Sequence, residues 1–156
     1  MSDTKPNIAG LIVKPLRRFI DERGDFREII RSTDPDFPGF SQLSSSVVYQ
    51  GIAKAWHMHL DQTELMTNYC GVVKFAFADR REGSATYGKV ADFLIDAQNN
   101  PSFFIVPPGV AHGYRVVVGP AVVGYLANRI YDPSDQIKIP HNDPAINYNW
   151  GPPEIV

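Results

Sequence analysis

Short apolar runs separated by turn-formers dominate the chain. Residues 8–13, 26–30, 43–49, 72–78, 93–95, 103–106, 114–118 and 121–126 are each brief and rich in β-branched or aromatic side chains, the signature of strands rather than helices. Asp34-Pro35-Asp36, Asn99-Asn100-Pro101 and Asp132-Pro133-Ser134-Asp135 punctuate them as turns. Thirteen prolines and twelve glycines are spread from end to end, which leaves no room for long helices. The pattern predicts an all-β sandwich or barrel with little helix. Along 72–78, Val73, Phe75 and Phe77 alternate with Val72, Ala76 and Ala78. Both faces of that strand are apolar, so it is expected inside the sheet or between the sheet and a dimer partner.

The 156 residues suit one domain over 1–156, with short tails at about 1–7 and 151–156. Fifteen basic against seventeen acidic side chains give a net charge of −2, which argues against a nucleic-acid partner. One cysteine, Cys70, excludes an internal disulfide framework and fits a reducing compartment. It is expected to be a small buried hydrophobe. The first residues lack the apolar core of a signal peptide, and no stretch is long enough to span a membrane. A soluble cytoplasmic protein is expected.

Three of the four histidines fall in one frame. Gly51 opens a stretch that contains His57, His59 and Glu64 and closes at Gly71, and Pro107-Pro108-Gly109-Val110-Ala111-His112 follows. In spacing and residue type the two stretches resemble the two cupin motifs, with Val116 where the second motif ends in Asn. The resemblance implies a jelly-roll barrel. On a strand, residues i and i+2 share a face, so His57 and His59 point together. With Glu64 and His112 they could hold a divalent metal. Alternatively, one or two of them are bonded core groups.

A wider resemblance joins these stretches. Asp21-Glu22-Arg23-Gly24-Asp25-Phe26-Arg27-Glu28, Gln42, Lys54-Ala55-Trp56-His57, Asp79-Arg80-Arg81, Ser84 through Gly88, Tyr125, Tyr131-Asp132-Pro133 and Asn142-Asp143-Pro144 through Trp150 stand in the order of the dTDP-4-dehydrorhamnose 3,5-epimerase family. The chain is most similar to its shorter epimerase-related members. The resemblance implies a cupin that forms a homodimer, uses no metal or other cofactor, and inverts centres beside the ketone of a nucleotide-linked 4-keto-6-deoxyhexose. It implies His57 as the base, Asp143 as its partner and Tyr125 as the acid. It further implies Arg23, Glu28, Gln42, Lys54, His112 and Tyr131 as substrate contacts, with the Arg23 segment reaching a neighbouring subunit.

The match departs from the family at two positions that bear on chemistry. Lys54 replaces an arginine, a point charge in place of a bidentate fork. Glu64 aligns with a lysine that stabilises the enolate oxygen, and a carboxylate there opposes the developing charge. Glu64 suits a metal cupin instead, with His57, His59, Glu64 and His112 as ligands, and in that reading His57 cannot also be the free base. A third reading is a sugar-nucleotide binder without turnover. Tyr125 and Asp143 favour the epimerase; their bland roles are a core tyrosine and a turn-forming aspartate. Trp56 and Met58 are expected to pack between sheets, Tyr69 and Tyr114 in the core or at its rim, and Asp79 to lock a turn beside Arg80 and Arg81.

Overall fold

Two long strands organise the structure, a computed structural model that describes residues 6–152. The ten strands are β1 (Ile12–Pro15), β2 (Phe19–Asp21), β3 (Gly24–Phe26), β4 (Gln42–Val48), β5 (Ala53–His59), β6 (Glu64–Asp79), β7 (Val90–Asp96), β8 (Ser102–Val106), β9 (Val110–Ala127) and β10 (Gln136–Lys138). Strands β6 and β9 pair antiparallel along their whole length, from Glu64 opposite Ala127 to Asp79 opposite Val110. Each bends midway. The register slips between Asn68 and Val73. Gly71 sits there at φ 80°, where a Cβ would stand 2.7 Å from the Val118 carbonyl oxygen. Only glycine allows that close approach at that backbone angle.

The bend carries each long strand from one layer to another. The first layer holds β1, β8, the start of β6, the end of β9 and β4. The second holds β7, the end of β6, the start of β9, β5 and β10. All these pairings are antiparallel. The result is the jelly-roll barrel that the resemblance to the cupin motifs implies, with no helix among the described residues. None is therefore available to cross a membrane as a helix.

The barrel fills with Val73, Phe75, Phe77, Phe104, Tyr114, Val116 and Val123. Phe104 packs 4.9 Å, centroid to centroid, from both Phe75 and Phe77. The other face of β6 presents Ala76 and Ala78 to Trp56, Ile146 and Trp150. Residues 72–78 thus lie inside the sheet, flanked by β7 and β9, and their second apolar face is covered by Trp56 and the C-terminal segment. Trp56 joins that outer layer, 4.8 Å from Trp150, rather than packing between the sheets.

Three other expectations are corrected. Residues 114–118 and 121–126 join as one strand, β9. Of 26–30 only Phe26 is in a strand. Ile29 and Ile30 instead pack against Leu16, Leu65, Phe103 and Ile105. Cys70 is exposed, because the irregular register beside Gly71 turns it outward. Hairpin β2–β3 stands apart from the barrel, with Phe19, Ile20 and Phe26 exposed. Of the expected tails, 1–5 and 153–156 lie outside the described residues.

Candidate active site

A bulge in β5 builds the site. Lys54 lies opposite Tyr114 and His57 opposite His112, so β5 carries one residue more than β9 over this span. In a regular strand two residues three apart point to opposite faces; the extra residue brings both Lys54 and His57 to the same cavity. Gly113 makes room for it. A Cβ there would lie 2.7 Å from the Lys54 carbonyl oxygen and 2.9 Å from the Ala55 carbonyl carbon.

The cavity holds about 250 Å³. Lys54, His57 and His59 enter it from β5, Glu64 and Met66 from β6, and His112, Tyr114 and Tyr125 from β9. Gln42 and Ser44 of β4, Gln62, Tyr131 and Gln136 complete the wall.

Strand β10 pairs with β5 and supplies a partner for each of its imidazoles. Asp135, the residue before it, places Oδ2 3.1 Å from His59 Nδ1. Its Oδ1 accepts from Asp61 N at 2.6 Å, so the carboxylate is held on both sides. Gln136 hydrogen-bonds His57 Nδ1. An amide serves either ring tautomer: its nitrogen donates to a bare Nδ1, and after a half-turn its oxygen accepts from Nδ1–H and leaves Nε2 free. Burial above all, then the charges of His112 and Lys138, lowers His57 to about 4, so the ring is neutral and able to accept a proton.

His112 is buried with both ring nitrogens engaged. Nδ1 lies 3.0 Å from the Val110 carbonyl oxygen and Nε2 lies 3.1 Å from Glu64 Oε2. The carbonyl can only accept, so Nδ1 carries a proton. One further proton is shared between Nε2 and the carboxyl group. Tyr114 and Tyr125 place their hydroxyl oxygens 2.5 Å apart. Burial raises both phenols above their ordinary value, which keeps them protonated.

The structure thus brings His57, Tyr125, Gln42, Lys54, His112 and Tyr131 to one cavity. Gln42 Oε1 also accepts from Tyr131 N at 2.8 Å, which ties two of these elements together. It does not bring Asp143 there. Asp143 sits in the turn after β10, where its Oδ1 accepts from Ala145 N at 2.8 Å. This is the turn-forming role of an aspartate before proline, and it replaces the expected pairing with His57. Arg23 and Glu28 are also away from this cavity. Arg23 pairs with Asp21 in the β2–β3 hairpin, and Glu28 pairs with Arg31.

Sequence reasoning missed Asp135, Gln136, Gln62 and Ser44. Asp135 was legible only as the end of a turn and Gln136 not at all, because nothing local shows that β10 will pair with β5.

A jelly-roll with a histidine-lined cavity defines a cupin-like protein, and comparison with known sequences gives its family. A profile of the dTDP-4-dehydrorhamnose 3,5-epimerase family matches residues 5–156, and the chain belongs to that family. The spore coat polysaccharide biosynthesis protein SpsL of Bacillus subtilis is 36% identical over 146 residues, covering 92% of this chain and 96% of SpsL. A dTDP-4-dehydrorhamnose 3,5-epimerase of Methanothermobacter thermautotrophicus is 29% identical, covering 97% of this chain and 84% of its own. Among solved structures, the Legionella pneumophila 3,5-epimerase in complex with dTDP-4-keto-L-rhamnose superposes with a TM-score of 0.82 at 26% identity, covering 94% of this chain and 82% of that one.

Proposed function

We propose that this chain epimerises a nucleotide-linked 4-keto-6-deoxyhexose by removing and returning a proton beside the ketone. The observation that carries the reading is a neutral imidazole, His57, opening into the same cavity as a protonated phenol, Tyr125. A carbon acid beside a ketone needs a base that is unprotonated at working pH, which for an imidazole is its neutral form, and a positioned one contributes roughly 10²–10⁴-fold. His57 takes the proton and Gln136 holds its ring. Tyr125 returns a proton, and Tyr114, hydrogen-bonded to it, orients that hydroxyl. Lys54, whose Nζ lies 3.1 Å from Ser46 Oγ, offers positive charge to the enolate or phosphate oxygens.

The cavity is at the small end for a whole ligand, since pockets for drug-sized molecules run about 300–1,000 Å³. It suits the sugar, with the nucleotide lying toward the mouth beside Gln42 and Tyr131. Arg23 then serves only if it reaches the cavity of a second copy. The chain accordingly acts as a homodimer, joined through exposed Leu43, Val47 and Tyr49 on and just after β4 and through the β2–β3 hairpin. Its one cysteine is exposed and unpaired, which fits the cytoplasm. Likeness to SpsL supports a place in supplying deoxysugars for polysaccharide.

Incubation with dTDP-4-keto-6-deoxyglucose in deuterated water tests the reading. Deuterium is expected at C3, C5 or both, and His57→Ala is expected to abolish it. Wild-type protein that binds the nucleotide but incorporates no deuterium would be a binder without turnover, and the epimerase reading would fall.

A further inference from the structure

Each inversion leaves the two reacting side chains in the wrong protonation states for the next. His57 has gained a proton and the Tyr125 hydroxyl has lost one. The base resets readily, because an imidazole that burial lowers to about 4 sheds its proton. The acid needs a donor to restore it. We propose that Lys54 and Ser46 form a relay that returns a proton to Tyr125 from the cavity mouth after each turnover. The relay rests on the epimerase reading and assigns the proton source of its acid.

Hydrogen-bond polarity sets its direction. Lys54 Nζ stands 3.1 Å from Ser46 Oγ. An ammonium has three donors and no acceptor, so the serine oxygen accepts and its own hydrogen is free to point onward. Ser44, which lines the cavity, and Ser46 lie two residues apart on β4 and share a face. Ser44 is opposite Tyr125 and Ser46 opposite Val123, which sets Ser46 diagonally beside Tyr125. Burial raises both phenols, and a hydrogen bond with Ser46 works the other way in each, favouring the ionised form. The two phenol oxygens are 2.5 Å apart, so a proton given to Tyr114 passes on to Tyr125. At the other end Lys54 is exposed on β5 and exchanges protons with water. The chain thus runs from solvent to a buried acid through N–H and O–H groups alone.

The transfers balance. The Tyr125 O–H bond breaks as its proton joins the sugar carbon, leaving a phenolate. The Ser46 hydroxyl gives its hydrogen to the phenolate, directly or through Tyr114, while Lys54 Nζ gives one to Ser46 Oγ. Lys54 is left a neutral amine and takes a proton from water, as His57 releases one to water. No proton is gained or lost over the cycle, and no co-reactant is needed.

Rapid-quench measurement of first and later turnovers on dTDP-4-keto-6-deoxyglucose tests the relay. Ser46→Thr keeps the hydroxyl, and Ser46→Val puts a methyl group of similar shape in its place. Ser46→Thr is expected to turn over steadily, close to the wild-type rate. Ser46→Val is expected to invert one substrate per site at the rate of Ser46→Thr and then slow by about 10–100-fold, within the range of one positioned proton donor. Like behaviour of the two variants overturns the relay, since cavity water would then reload the acid. A first turnover in Ser46→Val as slow as the later ones also overturns it, because Ser46 would then only position the acid. Ser46→Ala repeats the measurement, with the same outcomes, should the valine variant fold poorly. Wild-type protein that takes up no deuterium from deuterated water overturns the epimerase reading itself, whereas steady inversion by wild type and Ser46→Val alike removes the relay alone.

Discussion

Tyr114 and Tyr125 belong to the same strand, eleven residues apart, yet their hydroxyl groups meet at 2.5 Å inside the barrel. A straight strand would hold them roughly 36 Å apart. They meet because β9 bends between them and its two halves run in different layers. Tyr114 lies opposite Phe75 and Tyr125 opposite Met66, at the two ends of β6.

That pairing makes the two phenols separable. In Tyr125→Phe, deuterium exchange is expected to persist while completed inversion falls by about 10²-fold or more, the contribution of one positioned acid. In Tyr114→Phe the acid remains but loses its partner, so a smaller loss is expected. NMR of the recovered sugar distinguishes exchange from inversion. Wild-type product from Tyr125→Phe removes it from the mechanism.

The partner of His57 is Gln136 and not Asp143. Gln136→Ala is expected to lower kcat by about 10-fold, since a base that rotates freely spends less time aligned. Asp143→Asn is expected to leave kcat within about 2-fold, because an amide oxygen can still accept from Ala145 N. Steady-state kinetics of the two variants decides between them. A larger loss in Asp143→Asn than in Gln136→Ala would restore the pairing implied by sequence.

Gly113 allows β5 to bulge over β9. A methyl group at 113 meets backbone, which cannot swing aside as a side chain can. Gly113→Ala is expected to cost about 1–3 kcal/mol in urea unfolding, the range for overpacking. It should also reduce turnover in the fraction that folds, because Lys54 and His57 lose their shared face. Full activity at wild-type stability would show that the bulge does not set the site.

Asp79 locks the turn after β6. Its fully buried carboxylate accepts from Arg81 N, Nε and Nη2 and from the hydroxyls of Ser84 and Thr86. The Arg81 guanidinium first, then these hydroxyls, hold its carboxyl far below its ordinary 3.8. A carboxylate so lowered stabilises the fold at every pH above its unfolded value, and the contribution is lost as pH falls below about 3.8. Asp79→Asn is expected to destabilise by about 1.5–3 kcal/mol at pH 7, the scale of a charged hydrogen bond, and to flatten the acid limb of stability. Thermal melts of both proteins from pH 7 to pH 2.5 check this. Parallel curves would show that Asp79 carries no linkage.

The sequence by itself determined the strand content, the turns and the shared face of His57 and His59. These depend on neighbours within a few residues, on period-two alternation and on proline and glycine. It also determined the family through the order of its motifs. Only the tertiary structure decided that Trp150 covers β6, that Gln136 rather than Asp143 holds His57, and that Glu64 pairs with His112. Those pairings depend on register between strands far apart in the chain, and in β5 the register turns on one extra residue. A single-residue slip exchanges the two faces of a strand, and local pattern carries no record of where such a slip occurs.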